Sequence, residues 1–203
     1  YDIIIGTQMV AKGLDFENVT LVGVLSADQV LYSDDFRSNE RGFDLMTQVV
    51  GRSGRGTKRG RAIIQTYTPE NPVIALASHQ DYVHFYQQEI LFRKAMLYPP
   101  FADIVVIGFV GEQESKVAKA SQLFLEMLSH LASKEYSELP IRALRPTPAQ
   151  VAKVSNKYRY KLMIKCKNNL TFRTMLSRLL VACGKEKAFA GVTVYADSNP
   201  DMI

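Results

Sequence analysis

The chain has 203 residues, of which 47% are hydrophobic and 22% charged, a composition typical of one or two folded domains and not of a disordered tail. No apolar stretch approaches the roughly 20 residues that cross a bilayer, and no signal-peptide pattern opens the chain, so we expect a soluble, cytoplasmic protein with no membrane partner. The two cysteines, Cys166 and Cys183, lack metal-ligand spacing, so we expect both to be reduced and buried and no metal site within the chain.

The net charge of +5 is concentrated in one part of the chain. Residues 142–187 contain 12 Lys and Arg against one Glu, a local net charge of +11. A field concentrated in this way attracts polyanions, and nucleic acid is the leading candidate. A basic face that is merely solvated is the alternative interpretation.

Strand and helix patterns alternate in the first third of the chain. The apolar runs at 2–5 (DIII) and 20–25 (TLVGVL) predict buried strands. A helix is predicted from Ser38, as its N-cap, to Gly51, and another strand at 60–67. This alternation favours part of a parallel α/β sheet. Because the chain opens inside the first strand, we expect it to be a piece of a longer protein.

The remainder of the chain predicts a second domain behind a connecting helix. Residues 71–98 have a helical pattern that ends at Pro99 and Pro100. Beyond them the patterns predict strand 102–110, helix 115–133, strand 140–144, a proline-containing loop, strand 158–166, helix 169–183 and strand 191–197. This βαββαβ order is the ferredoxin-like arrangement. The predicted division is therefore 1–75, 76–100 and 101–203.

The stretch QVVGRSGRG, at positions 48–56, combines two arginines with three glycines. On a helix, Gln48, Arg52 and Arg55 project from nearly one face and converge on one ligand. Guanidinium groups bind phosphate oxygens bidentately, and glycine lets the ligand approach the backbone, so the pattern favours a phosphate group. A surface arginine pair that caps helix carbonyls is the alternative.

With GTQMVAKGLDF upstream, this stretch resembles the last two motifs of superfamily 2 helicases. The resemblance places Arg55 in the arginine-finger position, with Arg52 and Gln48 beside it as catalytic residues. Such an arginine stabilises charge on a transferring phosphoryl group and is worth roughly 10³ to 10⁵ in rate. The fold that the resemblance implies for residues 1–75 is the end of the second, RecA-like helicase lobe.

The upstream stretch matches the T-x₅-G-x-D pattern of the same family through Thr7, Gly13 and Asp15. The resemblance implies that Thr7 contacts the DNA backbone. It also implies that Gly13 and Asp15 face the nucleotide cleft and bind the cofactor.

The run SADQVLYSDDFRSNERGFDLM between the motifs is similar to the primosomal replication-restart helicases. The similarity covers essentially the whole chain through Tyr98-Pro-Pro-Phe101, Pro146-x-Pro148, Lys153, the KYRYKLMIK strand and the final DSNP. Two departures are Arg145, where glycine is usual, and Ser198–Asn199, which replace an apolar-plus-acid pair. As an alternative, the DFRxxER block is only an exposed, charged helix start in which Glu40 and Arg41 pair with neighbours.

The resemblance implies the C-terminal part of an ATP-dependent 3′→5′ DNA helicase. Such a protein recognises stalled or branched replication forks and initiates primosome assembly. Its cofactors are ATP with Mg²⁺, and its zinc is bound by cysteines upstream of this segment. The chain has neither a GKT/S phosphate loop nor an acidic Mg²⁺ motif, so we predict that it is inactive alone.

Strand alternation in KYRYKLMIK sends its tyrosines to one face, predicted as core, and its cations to the other. We expect DNA binding by the basic residues of this region: Lys153, Lys157, Arg159, Lys161 and Lys165. The partners that the resemblance implies are branched and single-stranded DNA, the acidic C-terminal tail of single-stranded-DNA-binding protein and other primosome proteins. A non-catalytic module that binds DNA and this tail is the alternative function. A further alternative is an RNA-directed superfamily 2 helicase, which agrees with the generic motifs but not with the primosomal block.

Overall fold

The computed structural model describes residues 3–7, 19–51 and 60–200 and shows a mixed α/β protein. The chain forms two compact units, Tyr1–Phe92 and Arg93–Ile203. The predicted boundaries at 75 and 100 stay predictions. Across the described ranges, no helix combines the length and the apolar character that a membrane span requires.

The first unit pairs two parallel strands with helices. Leu21 lies opposite Arg61, and Val24 lies opposite Ile64. The elements in chain order are β1 (Leu21–Val24), α1 (Asp28–Leu31), α2 (Ser38–Val50), β2 (Arg61–Ile64), α3 (Pro72–Ser78) and α4 (Tyr82–Met96), the last of which continues into the second unit. The strands predicted at 20–25 and 60–67 are confirmed, although both are shorter than expected.

Helix α2 supplies much of the first core. Phe43 and Met46 are buried on its inner face, as their spacing predicts, and the helix ends before Gly51. The ring of Phe43 stacks on Phe85 with 4.2 Å between centroids. Ser38 is the first helical residue rather than the N-cap, because its hydroxyl is used in bonds with Ser33 instead of capping an α2 backbone N–H.

Two predictions for the first unit are wrong. Ile3 and Ile5 are 82% and 91% exposed and lie in no strand, because an apolar run is buried only where a sheet and a covering layer meet it. The helix predicted over 71–98 is two helices. Gln80 has a φ of 56°, and Asp81 accepts a hydrogen bond from the backbone N–H of His84, so the chain turns and a new helix begins.

The second unit is an antiparallel sheet with helices. Its elements are β3 (Asp103–Gly111), α5 (Glu114–Glu135), β4 (Arg142–Ala143), β5 (Thr147–Val154), β6 (Lys157–Cys166), α6 (Leu170–Lys185), a 3₁₀ turn (Lys187–Phe189) and β7 (Val192–Ser198). The strand order is β4–β6–β3–β7, and β5 pairs with the same edge of β6 as β4 does. The predicted helices and strands of this part are confirmed, with β4 reduced to two residues.

Helices α5 and α6 cover one face of this sheet. Phe109 of β3 meets Phe124 of α5 edge to face at 5.5 Å. Each fully buried side chain of this kind contributes roughly 1.5–3 kcal/mol. The core comprises residues from both helices and from β3 and β6: Val105, Ile107, Phe109, Val117, Ala120, Phe124, Leu128, Leu162, Ile164, Phe172, Met175 and Leu179.

The proline-containing loop predicted before β6 is instead strand β5. Pro148 lies opposite Tyr160 and Lys153 opposite Tyr158, so residues 149–152 bulge out of the ladder. The hairpin closes through Ser155 and Asn156, whose φ angles are 48° and 60°. Positive φ at both central residues is the signature of a two-residue type I′ turn.

The end of β7 is tied to the start of β3. The backbone N–H of Ile104 donates to Asn199 Oδ1 at 2.9 Å, and the N–H of Asn199 donates to the Ile104 carbonyl at 2.7 Å. Asn168 Nδ2 donates to Ser198 Oγ. Asparagine tolerates the φ of 50° at position 199, so the unusual Ser198–Asn199 pair has a structural role.

Candidate nucleic-acid interface

Of the six residues that the helicase resemblance assigns to a site, two lie in the described part of the chain. Thr7 is exposed, and Gln48 is exposed on the last turn of α2, where a ligand can reach its amide. The predicted cofactor-binding pair Gly13 and Asp15 and the predicted catalytic arginines Arg52 and Arg55 lie outside the described residues.

The charged block before α2 forms contacts within the fold. Arg41 Nη1 lies 3.1 Å from Asp35 Oδ2, and the side chain of Asp35 is only 6% exposed. The other carboxylate oxygen of Asp35 accepts from the backbone N–H of Arg37 at 2.8 Å. This part of the DFRxxER block therefore fixes the turn that leads into α2. The ion pair of Arg41 agrees with the alternative interpretation, whereas Asp35 is buried and not part of an exposed helix start.

Asp28 joins the ends of the two parallel strands. It begins α1 after β1, and its carboxylate accepts from Thr66 Oγ1, Thr68 Oγ1 and the backbone N–H of Tyr67, all of which follow β2. Partial desolvation acts to raise the pKa of Asp28, but these hydrogen bonds outweigh it and hold the pKa below its usual range. The carboxylate thus braces the carboxyl edge of the β1–β2 pair, where loops of α/β sheets commonly carry sites.

Strand β6 has the two faces that alternation predicts. Leu162 and Ile164 are fully buried beneath α5 and α6, and Tyr158 and Tyr160 pack against the same core. Arg159 and Lys161 point to the opposite face and are half-buried. Two cations therefore share the sheet face that the helices leave uncovered.

The other predicted lysines do not all join this face. Lys153 lies opposite Tyr158 in the ladder, and its ammonium sits 4.7 Å from that ring, on the core side of the sheet. Lys157 is exposed where the hairpin returns into β6. Its alternation places it on the same face as Arg159.

Lys165 is buried rather than exposed. Its ammonium donates to the carbonyl of Met96 at 2.6 Å and lies 3.7 Å from the ring centroid of Tyr98. Burial, and to a lesser extent the charge of Arg142, lowers the pKa of Lys165. The segment before β3 therefore covers this end of the sheet face, and the ammonium is used within the fold.

Sequence analysis missed an aromatic residue on the same face. Tyr195 of β7 lies opposite Gly108 of β3, and Gly108 lies opposite Lys161 of β6, so one row crosses three strands. Tyr195 is 42% exposed. Alternation within β7 is visible in the sequence, but only the strand register shows which residues share the row with Lys161.

Comparisons with known proteins give a family match that lies within the second unit. The family model described as primosomal protein N C-terminal domain matches residues 94–200. The replication restart proteins PriA of Bacillus subtilis and of Synechocystis are 41% and 38% identical over 100% of this chain, and that of Treponema pallidum is 34% identical over 98%. The chain spans 24%, 23% and 29% of the lengths of these relatives, or about a quarter.

Proposed function

The chain belongs to the family of the primosomal protein N C-terminal domain, and we propose that it forms the C-terminal part of an ATP-dependent 3′→5′ DNA helicase that restarts replication at stalled or branched forks. The observation that carries the proposal is the similarity of at least 38% to two replication restart proteins over the entire chain. In this role it initiates assembly of the primosome, with other primosome proteins as partners.

The second unit binds DNA through the sheet face of β6. Support comes from Arg159 and Lys161, which share that face, and from Lys157 at its end. Cations spaced along a strand follow a phosphate backbone without selecting a base sequence. The strand order β4–β6–β3–β7 with two helices on one face supports a ferredoxin-like domain to which β5 has been added.

The first unit is the end of a RecA-like lobe in this proposal, which the parallel pair of β1 and β2 supports. ATP with Mg²⁺ belongs to the whole helicase, and Gln48, exposed at the end of α2, would face it together with Arg52 and Arg55. Bound ATP supplies the phosphoryl group whose transfer drives movement on DNA. Thr7 would contact the DNA backbone, Gly13 and Asp15 would line the nucleotide cleft, and the zinc ligands lie in another part of the helicase.

The alternative is a non-catalytic module. Its basic residues would bind DNA and the acidic tail of single-stranded-DNA-binding protein. The concentration of +11 within residues 142–187 favours a polyanionic partner of either kind.

Phosphate release by the full-length protein tests the proposal. We expect DNA-stimulated ATP hydrolysis that falls by roughly 10³-fold or more in Arg55→Ala, because an arginine finger acts mainly in the transition state. The matched control is Arg61→Ala, which removes an exposed arginine from β2 and should leave turnover within about twofold. We expect no hydrolysis by the 203-residue chain alone. Turnover that Arg55→Ala leaves unchanged contradicts the assignment, and full-length protein without any ATPase activity favours the non-catalytic module.

A further inference from the structure

Tyr195 lies directly over the backbone of the neighbouring strand. A methyl group added at Gly108 would be 2.6 Å from the Tyr195 hydroxyl oxygen and closer still to the ring carbons Cζ and Cε1. Only glycine leaves room for a ring in this position. One side of the ring therefore rests on β3, while the residue keeps 42% of its surface exposed.

The ring of Tyr195 differs from other tyrosine rings of this unit. Tyr98, Tyr136 and Tyr158 each have a cation within 6 Å of the ring centroid: Lys165, Arg178 and Lys153 respectively. Within residues 3–7, 19–51 and 60–200, no aromatic ring or cation stacks on Tyr195. Its outer surface is thus an aromatic plane presented to solvent.

Cations flank this plane on one side. Lys161 occupies the same row two strands away, and Arg159 is the next residue of β6 on that face. Two strand spacings place β6 about 10 Å from β7. A short stretch of nucleotides spans that separation, so a base over Tyr195 leaves its phosphates near Arg159 and Lys161.

We propose that Tyr195 is a stacking platform for the bases of single-stranded DNA, seated on Gly108, with the phosphate backbone running along Arg159 and Lys161. The proposal rests on the proposed DNA-binding function and specifies its ligand. Stacking needs an exposed base face, which a paired duplex does not offer along its length. The surface therefore favours unpaired over paired DNA, without selecting a base.

Variants at position 195 measure what ring stacking contributes to DNA affinity, because they leave the cations unchanged. We expect Tyr195→Ala to weaken binding of a labelled oligothymidylate to the 203-residue chain by about 5- to 150-fold, the range for losing one stacked base. Binding of a duplex of equal length should change by less than about twofold. Tyr195→Phe keeps the ring and should keep the affinity. The readout is fluorescence anisotropy, with thermal melts to confirm that each variant is folded.

The absence of tryptophan from the sequence permits a second, direct readout. Tyr195→Trp introduces a single indole, whose fluorescence should be quenched when oligothymidylate stacks on it. Val181→Trp is the matched control, because position 181 is 58% exposed on α6, which covers the other side of the sheet. Its fluorescence should not respond.

Failure of the proposed DNA binding and failure of the stacking proposal would give different results. If the wild-type chain binds neither oligothymidylate nor duplex, the DNA-binding function of this face fails and the stacking proposal with it. If wild-type protein binds oligothymidylate but Tyr195→Ala binds equally well and the indole at 195 is not quenched, only the stacking proposal is overturned. An equal loss for duplex and single strand in Tyr195→Ala overturns it as well.

Discussion

Residues of one type on one sheet face have different roles in the second unit. Lys161 and Lys165 are four residues apart on β6 and point the same way. Lys165 is only 6% exposed, because the carbonyl of Met96 and the ring of Tyr98 surround its ammonium. The basic count of a segment therefore overstates how many charges a ligand can reach.

Stability and DNA binding should separate in two variants of this strand. Lys165→Ala leaves the Met96 carbonyl without its charged donor, so we expect the free energy of unfolding to fall by about 2 kcal/mol. We expect its effect on DNA affinity to be small. Arg159→Ala should do the reverse, because that side chain is on the face left open by the helices. Urea denaturation and anisotropy measure both quantities, and equal loss of DNA affinity in the two variants would contradict the assignment.

The two cysteines should be unreactive in the folded protein. Burial raises the pKa of Cys166 to about 12 and that of Cys183 to about 11, from an ordinary value of 9.0. At pH 8 the thiolates of both cysteines are therefore much rarer in the folded protein than in the unfolded chain, that of Cys166 most of all. Labelling by a thiol reagent should track global unfolding, and rapid labelling of native protein would show that the sites are open.

These raised pKa values also determine how stability depends on pH. The folded state keeps protons that the unfolded chain releases above about pH 9. The contribution of the thiols is therefore fully present below pH 9 and is lost as the pH rises through the folded pKa values. Replacement of both cysteines by alanine should remove this part of the alkaline decline.

Periodicity predicted most elements but not the irregular ones. The helices α2, α5 and α6 repeat apolar residues at helical spacing, so their positions were predictable. Strand β5 was missed because the bulge at 149–152 breaks the period of two and Pro148 argues against a strand. The break at Gln80 was hidden by apolar residues on both sides. The register between strands decides which residues share a row with Tyr195, and a single sequence does not contain this register.

The β5–β6 hairpin offers a test of the turn assignment. Serine at φ 48° is strained, whereas an Asn-Gly pair suits both positions of a type I′ turn. We expect the double variant Ser155→Asn, Asn156→Gly to raise the free energy of unfolding by about 1 kcal/mol. Asn156→Ala should lower it by a similar amount, because alanine resists positive φ. The opposite order of stabilities in urea melts would show that the turn is of another type.

The basic segment and the residues that match helicase motifs lie in different units of the chain. The motif residues Thr7 and Gln48 lie in the first, and the segment of net charge +11 lies in the second. The family match at residues 94–200 and the cations Arg159 and Lys161 of the open sheet face both lie in the second unit.

Forked-DNA binding by the 203-residue chain across a salt series tests the central claim most directly. Arg159→Ala with Lys161→Ala should weaken binding and reduce the slope of log affinity against log salt by about 1.4 to 1.8, since each phosphate contact contributes about 0.7 on a single strand and about 0.9 on a duplex. Lys185→Ala with Lys187→Ala removes the same charge from the end of α6 and the turn that follows, and should leave the slope nearly unchanged. An Arg159, Lys161 variant with wild-type affinity and slope, or an equal loss in the control pair, would contradict the assignment of this sheet face to DNA.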